Sequence, residues 1–156
     1  MKRNRKGFTL IELLIVVAII GIIVAIAIPN LLNAIQRGKQ KRTMGDMRTA
    51  ATACETYSID NNAYYKSAAA NLSTLAAAME PTYVKRLPTA DGWTTDMRYV
   101  SSGASAGSEY TITSYGKDKA TGGGGSVGGN GGTTDFRNDI IFSTGSYIQF
   151  PDGTQT

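Results

Sequence analysis

Residues Phe8 to Ile28, "FTLIELLIVVAIIGIIVAIAI", form an apolar run of 21 residues whose only charge is Glu12. No other feature constrains the fold so strongly. At ~1.5 Å per residue, a helix of this length reaches roughly 31 Å, the thickness of a bilayer's hydrocarbon core. The run therefore reads as a membrane-spanning helix. It is too long for the apolar core of a secretory signal, and no small-x-small cleavage site closes it. Roughly 120 residues then remain, enough for one small domain with its own core.

The charge balance narrows the partners. The formal charge of +4 comes from Lys2, Arg3, Arg5 and Lys6, which precede the run. A second basic cluster, Arg37, Lys39, Lys41 and Arg42, follows it, and beyond Arg42 there are 8 Lys/Arg against 11 Asp/Glu. Four basic residues on each side leave the positive-inside rule in a near tie. No basic patch is interleaved with aromatics, so the composition gives no nucleic-acid footprint. The chain has no histidine, the commonest general base and transition-metal ligand. Its one cysteine, Cys54, cannot form an internal disulfide.

Glu12 raises the functional question. A carboxylate inside a membrane segment costs free energy and marks a site whose partner must be named. One turn into the helix, it also meets the positive end of the helix dipole, so it could serve its own helix alone. A cut between Gly7 and Phe8 supplies a partner: a new amino group on Phe8. Two helices staggered along their axes then set one subunit's amine against the next subunit's Glu12. Pairing removes two charges that would each be costly alone in a low dielectric.

Pro29 ends the run and predicts a kink rather than a stop, because helical periodicity resumes. Met44, Met47, Ala51, Cys54 and Ser58 recur on one face of a helix, and Met44, Met47, Ala51 and Cys54 read as core contacts, with Cys54 a small buried hydrophobe. The helix is expected to run from Phe8 to about Ser58, ending in the turn-rich "DNNAY" of Asp60–Tyr64. Leu72–Met79 reads as a short helix stopped by Pro81. Short strands are expected at Met97–Val100, Glu109–Tyr115, Asp139–Ser143 and Ser146–Phe150, the last two joined by a Thr144-Gly145 hairpin turn. Trp93 reads as a core anchor. In residues 122–132, eight of eleven are glycine, which reads as a surface loop and lacks the Lys-Ser/Thr of a phosphate loop. The fold class is α+β: a long N-terminal helix, membrane-spanning in its first half, packed on a small antiparallel β-sheet head. Segments are expected at 1–7, 8–29, 30–60 and 61–156.

The stretch "KGFTLIELLIVVAIIGIIVAIAIPN" resembles the N-terminus of type IV pilins and of the pseudopilins of type II secretion. The shared marks are a basic leader, Gly7 at the cut, Phe8 next, Glu12 four residues on, and Pro29 closing the run. The resemblance implies that a prepilin peptidase removes 1–7 and N-methylates Phe8, that Glu12 serves assembly, and that the leader stays cytoplasmic with the head across the inner membrane. It also implies a homopolymeric filament, minor pseudopilins and an inner-membrane assembly platform as partners, and membrane lipid around the unassembled helix.

The head is similar to the G-type major pseudopilin through "LPTADGWTTDMRYV", "YTITSYGKD" and "NDI". That family's pattern reads Leu-Pro-x-x-Pro-Trp-Gly, then Tyr. Leu87, Pro88, Trp93 and Tyr99 match, whereas Gly92 and Thr94 stand in place of the proline and the glycine. The family binds calcium near its C-terminal end, and by position Asp118, Asp135 and Asp139 are the candidate ligands, with Asn138 where the family has an acid. The reading is a non-catalytic subunit of a type II secretion pseudopilus. The alternative is a surface type IV pilus for adhesion or motility; a membrane-anchored periplasmic enzyme is the remote one.

Overall fold

The computed structural model describes residues 7–67, 70–102, 107–121 and 131–155. Most of the glycine-rich run, 122–130, lies outside them. The chain divides between Ile35 and Gln36 into two compact units.

One helix, α1 (Leu10–Asn61), carries through Pro29 without interruption. Proline lacks the N–H for the bond one turn back. In the next position, the Asn30 side-chain amide donates to the Ile26 carbonyl at 3.3 Å. In the N-terminal unit every large apolar side chain from Phe8 to Ile35 is at least 42% exposed. Exposed apolar surface on that scale marks a face that lipid or protein must cover. By length and composition α1 contains a segment able to cross a membrane.

The second unit is built on the C-terminal part of α1. Its residues Met47, Ala50, Ala51 and Cys54 are at most 1% exposed and enter the core; Met47, Ala51 and Cys54 are those the helical stripe predicts. Met44 packs at the margin. Burial pushes the Cys54 thiol up to about 12, with the neighbouring Glu55 charge adding to the shift, so it is an inert core group. The helix ends at Asn61, and Asn62 takes a left-handed φ of 54°, a conformation asparagine tolerates better than most residues.

After α1 come β1 (Ala70–Asn71), a 3-10 turn (Leu72–Leu75), α2 (Ala76–Met79), β2 (Arg98–Ser102), β3 (Glu109–Ser114), β4 (Gly131–Thr133), β5 (Ile140–Ser143) and β6 (Ser146–Pro151). They form one sheet in the order β1-β2-β3-β5-β6-β4. Every pairing is antiparallel except β4 with β6, which is parallel. The sheet is therefore mixed rather than purely antiparallel. The exception arises where the end of the glycine run, Gly131–Gly132, is recruited as an edge strand rather than left as loop. Alternation aims Tyr110, Ile112, Ser114, Ile140 and Phe142 inward. At the β5–β6 hairpin, Thr144 and Gly145 have φ of 42° and 87°, the two positive values a tight type I′ turn needs.

A buried polar knot ties the loop before β2 to α1. Asp91, 3% exposed, accepts the N–H groups of Trp93 and Thr95 on Oδ1, each at 2.9 Å, and the Ser114 hydroxyl on Oδ2 at 2.8 Å. The Gly92 N–H donates to Thr43 Oγ1 at 2.8 Å, and that hydroxyl donates to the Lys39 carbonyl at 2.9 Å. Trp93 is buried, and its indole N–H donates to Gln36 at 2.8 Å. A Cβ on Gly92 would lie 2.4 Å from the Lys39 carbonyl oxygen. Glycine stands here because the loop backbone rests directly on the helix backbone.

Thr94 is held at φ 65°. A β-branched residue is strained in that region by about 1–2 kcal/mol. Thr94→Gly is therefore expected to raise stability by about 1 kcal/mol, after the greater chain entropy of glycine is subtracted. Denaturant unfolding followed by Trp93 fluorescence measures it.

Candidate functional site

The N-terminal site begins where α1 does. Thr9 precedes the first helical residue, and Glu12 is the third residue of the helix. Glu12 Oε2 accepts the Thr9 backbone N–H at 2.8 Å and the Thr9 hydroxyl at 2.7 Å, while the Glu12 N–H lies 3.3 Å from Thr9 Oγ1. Thr-x-x-Glu is a capping box: each side chain satisfies a backbone N–H that the helix leaves open. The signal for Thr9 lies in the sequence as the Thr-x-x-Glu spacing of "TLIE", a pairing to which the charge of Glu12 alone does not point. Within one chain, Glu12 is thus parked on its own helix end, and both bonds fall on one of its oxygens.

Gly7 and Phe8 lie in the non-helical segment before Thr9, and both are exposed. A Cβ on Gly7 would meet nothing within 4 Å. Packing inside this chain therefore does not demand glycine at 7.

The three aspartates considered for calcium lie on two turns packed together. One follows β3 and holds Asp118; the other precedes β5 and runs from Asp135 to Asp139. The Lys117 N–H donates to the Phe136 carbonyl at 2.9 Å. Gly116 has φ 66°, and a Cβ there would lie 2.7 Å from the Asn138 carbonyl oxygen and 2.8 Å from that of Arg137. Asp118 Oδ1 accepts the Ala120 N–H at 3.1 Å. Asp139 is 1% exposed. Asp135 Oδ1 accepts the Arg137 backbone N–H at 2.9 Å; its Oδ2 accepts Arg137 Nε–H at 2.9 Å and Nη2–H at 2.6 Å. These bonds from Arg137 hold the Asp135 carboxyl below its usual range, with the nearby Lys117 charge acting the same way; Asp135 in turn raises Arg137. Among the described residues no three acidic side chains gather into a metal-binding cluster. Calcium takes six to eight oxygens and draws on several carboxylates. Among the described residues, Asp135 is thus engaged by a guanidinium, and position 138 carries an amide rather than an acid.

A helix with a largely apolar exposed N-terminal part and an acid in its first turn, continuing as the packing partner of a small sheet, defines a type IV pilin-like subunit. Two family models match. The prokaryotic N-terminal methylation motif covers residues 2–28, and type II secretion system (T2SS), protein G, covers residues 30–130. The chain is 32% identical over 148 residues to type II secretion system core protein G of Vibrio cholerae, covering 88% of this chain and 100% of that one. It is 51% identical over 71 residues to the type IV wide pilus major component PilA4 of Thermus thermophilus, covering 46% of this chain and 54% of the relative. It is 60% identical over 57 residues to the type IV major fimbrial protein FimA of Dichelobacter nodosus, covering 35% of this chain and 36% of that one. The chain thus spans about half the length of the Thermus relative. It belongs to the type II secretion system protein G family.

Proposed function

We propose that this chain is the major structural subunit of a type II secretion pseudopilus, a non-catalytic protein that acts by polymerising. A prepilin peptidase cuts after Gly7 and methylates the new amine of Phe8. The cut protein waits in the inner membrane with its head outside the cytoplasm, its apolar α1 residues covered by lipid. An assembly platform then withdraws subunits one at a time, and minor pseudopilins join the same filament. Each added helix exchanges lipid contact for contact with sister helices. At that step Glu12 leaves its capping box to meet the Phe8 amine of a neighbouring subunit.

The observation that carries this reading over a surface pilus is where similarity extends. Likeness to the protein G relative runs through head as well as helix, over 88% of the chain, whereas likeness to the two pilins covers 46% or less. The N-terminal polymerisation chemistry is common to both kinds of filament and does not separate them. Deleting the gene and assaying exported proteins and surface motility side by side tests the choice. Loss of export with motility intact is expected; loss of motility with export intact would make the chain a pilin.

A further inference from the structure

We propose that the Arg137 guanidinium is the resident cation of the turn pair where the resemblance expects calcium, so that the head holds this region together without a metal. Three observations carry it. First, Asp135 is largely occupied from within: three N–H groups of Arg137 fall on its two oxygens at 2.6–2.9 Å, filling three of about four acceptor positions on a carboxylate. Both side-chain N–H groups converge on Oδ2 as charge-assisted hydrogen bonds, and an incoming ion would have to displace them.

Second, the local charge is already balanced. Asp118, Asp135 and Asp139 share these two turns with Lys117, Lys119 and Arg137, and Asp118 lies near enough to act on Arg137 electrostatically. Calcium affinity rises with the negative charge of its ligands. Asn138 adds none; its side-chain oxygen is buried and accepts no hydrogen bond, but it is a neutral amide. Third, the turns are joined by backbone contacts that need no ion, through the Lys117–Phe136 hydrogen bond and the close approach at Gly116.

The test uses the full chain in detergent micelles, with Trp93 fluorescence reporting thermal unfolding. The wild-type protein is expected to melt at the same temperature, within about 1 °C, in 5 mM calcium chloride and in 5 mM EGTA. Arg137→Gln should melt about 3 °C lower in both buffers, the size a single exposed but well-made ion pair supports in a head of this length. Because the pair is exposed, with side-chain exposures of 59% and 25%, that loss should shrink at least by half in 1 M sodium chloride. Arg137→Lys should recover only part of it, since an ammonium cannot make the paired contact. A wild-type melting temperature more than about 3 °C lower in EGTA would overturn the proposal. So would an Arg137→Gln protein that melts like wild type at low salt, or a loss that salt leaves unchanged, which would trace to packing instead of charge. Equilibrium dialysis with radioactive calcium is a second readout: saturable binding below ~1 mM, the range of extracellular calcium modules, would also overturn it.

Discussion

A strain carrying Glu12→Ala as its only copy is expected to contain cut, membrane-inserted subunit and at least about 100-fold fewer filaments. The magnitude follows from stranding one partner of a charge pair in a low-dielectric contact, a loss repeated at every subunit added. The same residue serves two structures, so one substitution cannot tell them apart. In a single chain Glu12 closes a capping box with Thr9; in the proposed filament it faces a neighbour's Phe8 amine. Glu12→Gln separates the two. Glutamine completes a capping box as well as glutamate does, but it carries no charge to neutralise an ammonium. If pairing drives assembly, Glu12→Gln fails like Glu12→Ala. Electron microscopy of sheared filaments, with immunoblots of the membrane fraction for processed subunit, reads both outcomes. Normal filaments from Glu12→Gln would reduce the residue to a helix cap and remove the pairing step. Mass spectrometry of wild-type filaments should find Phe8 as the first residue.

Where residues next to one another in sequence decide the outcome, the sequence could be read. The core stripe of α1 was legible because Met47, Ala51 and Cys54 fall on one helical face. The β5–β6 hairpin was legible because Thr144-Gly145 can supply two positive φ values. Strand β4 was not: Gly131–Thr133 has little strand propensity and is held by pairing with Gln149, Phe150 and Pro151, neighbours only the fold supplies. The parallel β4–β6 pair, and with it the mixed sheet, followed from that. At the turn pair, the resemblance implies Asp118, Asp135 and Asp139 as metal ligands. Their spacing could not show that Asp135 would be taken by a residue two places on, because that depends on the backbone of the turn. Asp91 is not legible in the sequence for a similar reason: it is one acid in a loop until β3 brings Ser114 to it.

That knot is where the head is most vulnerable. Asp91→Ala removes an acceptor from the Trp93 and Thr95 N–H groups and from the Ser114 hydroxyl, and burial leaves them short of water. Each stranded donor costs about 1–3 kcal/mol, so a total of about 3–5 kcal/mol is expected, allowing for some relaxation. Against a typical stability of about 5–15 kcal/mol, the head would be left marginal. Asn at the same position is the control. Its carbonyl oxygen can still accept from Trp93 and Thr95, and its amide can donate to the Ser114 oxygen, so most of the knot survives. Urea unfolding of full-length protein in micelles measures both variants, and Trp93 is the chain's single tryptophan, sitting inside the affected loop. Asp91→Asn should lie within about 1–2 kcal/mol of wild type and Asp91→Ala well below it. The loop also bears on α1 through Gly92, Thr43 and Lys39, so Gly92→Ala should be destabilising by a separate route: its methyl meets the Lys39 carbonyl rather than a side chain that can turn aside. Equal stabilities for wild type and Asp91→Ala would show that the loop finds its place without the carboxylate, and the fit of glycine against the helix backbone would then be the contact that positions it.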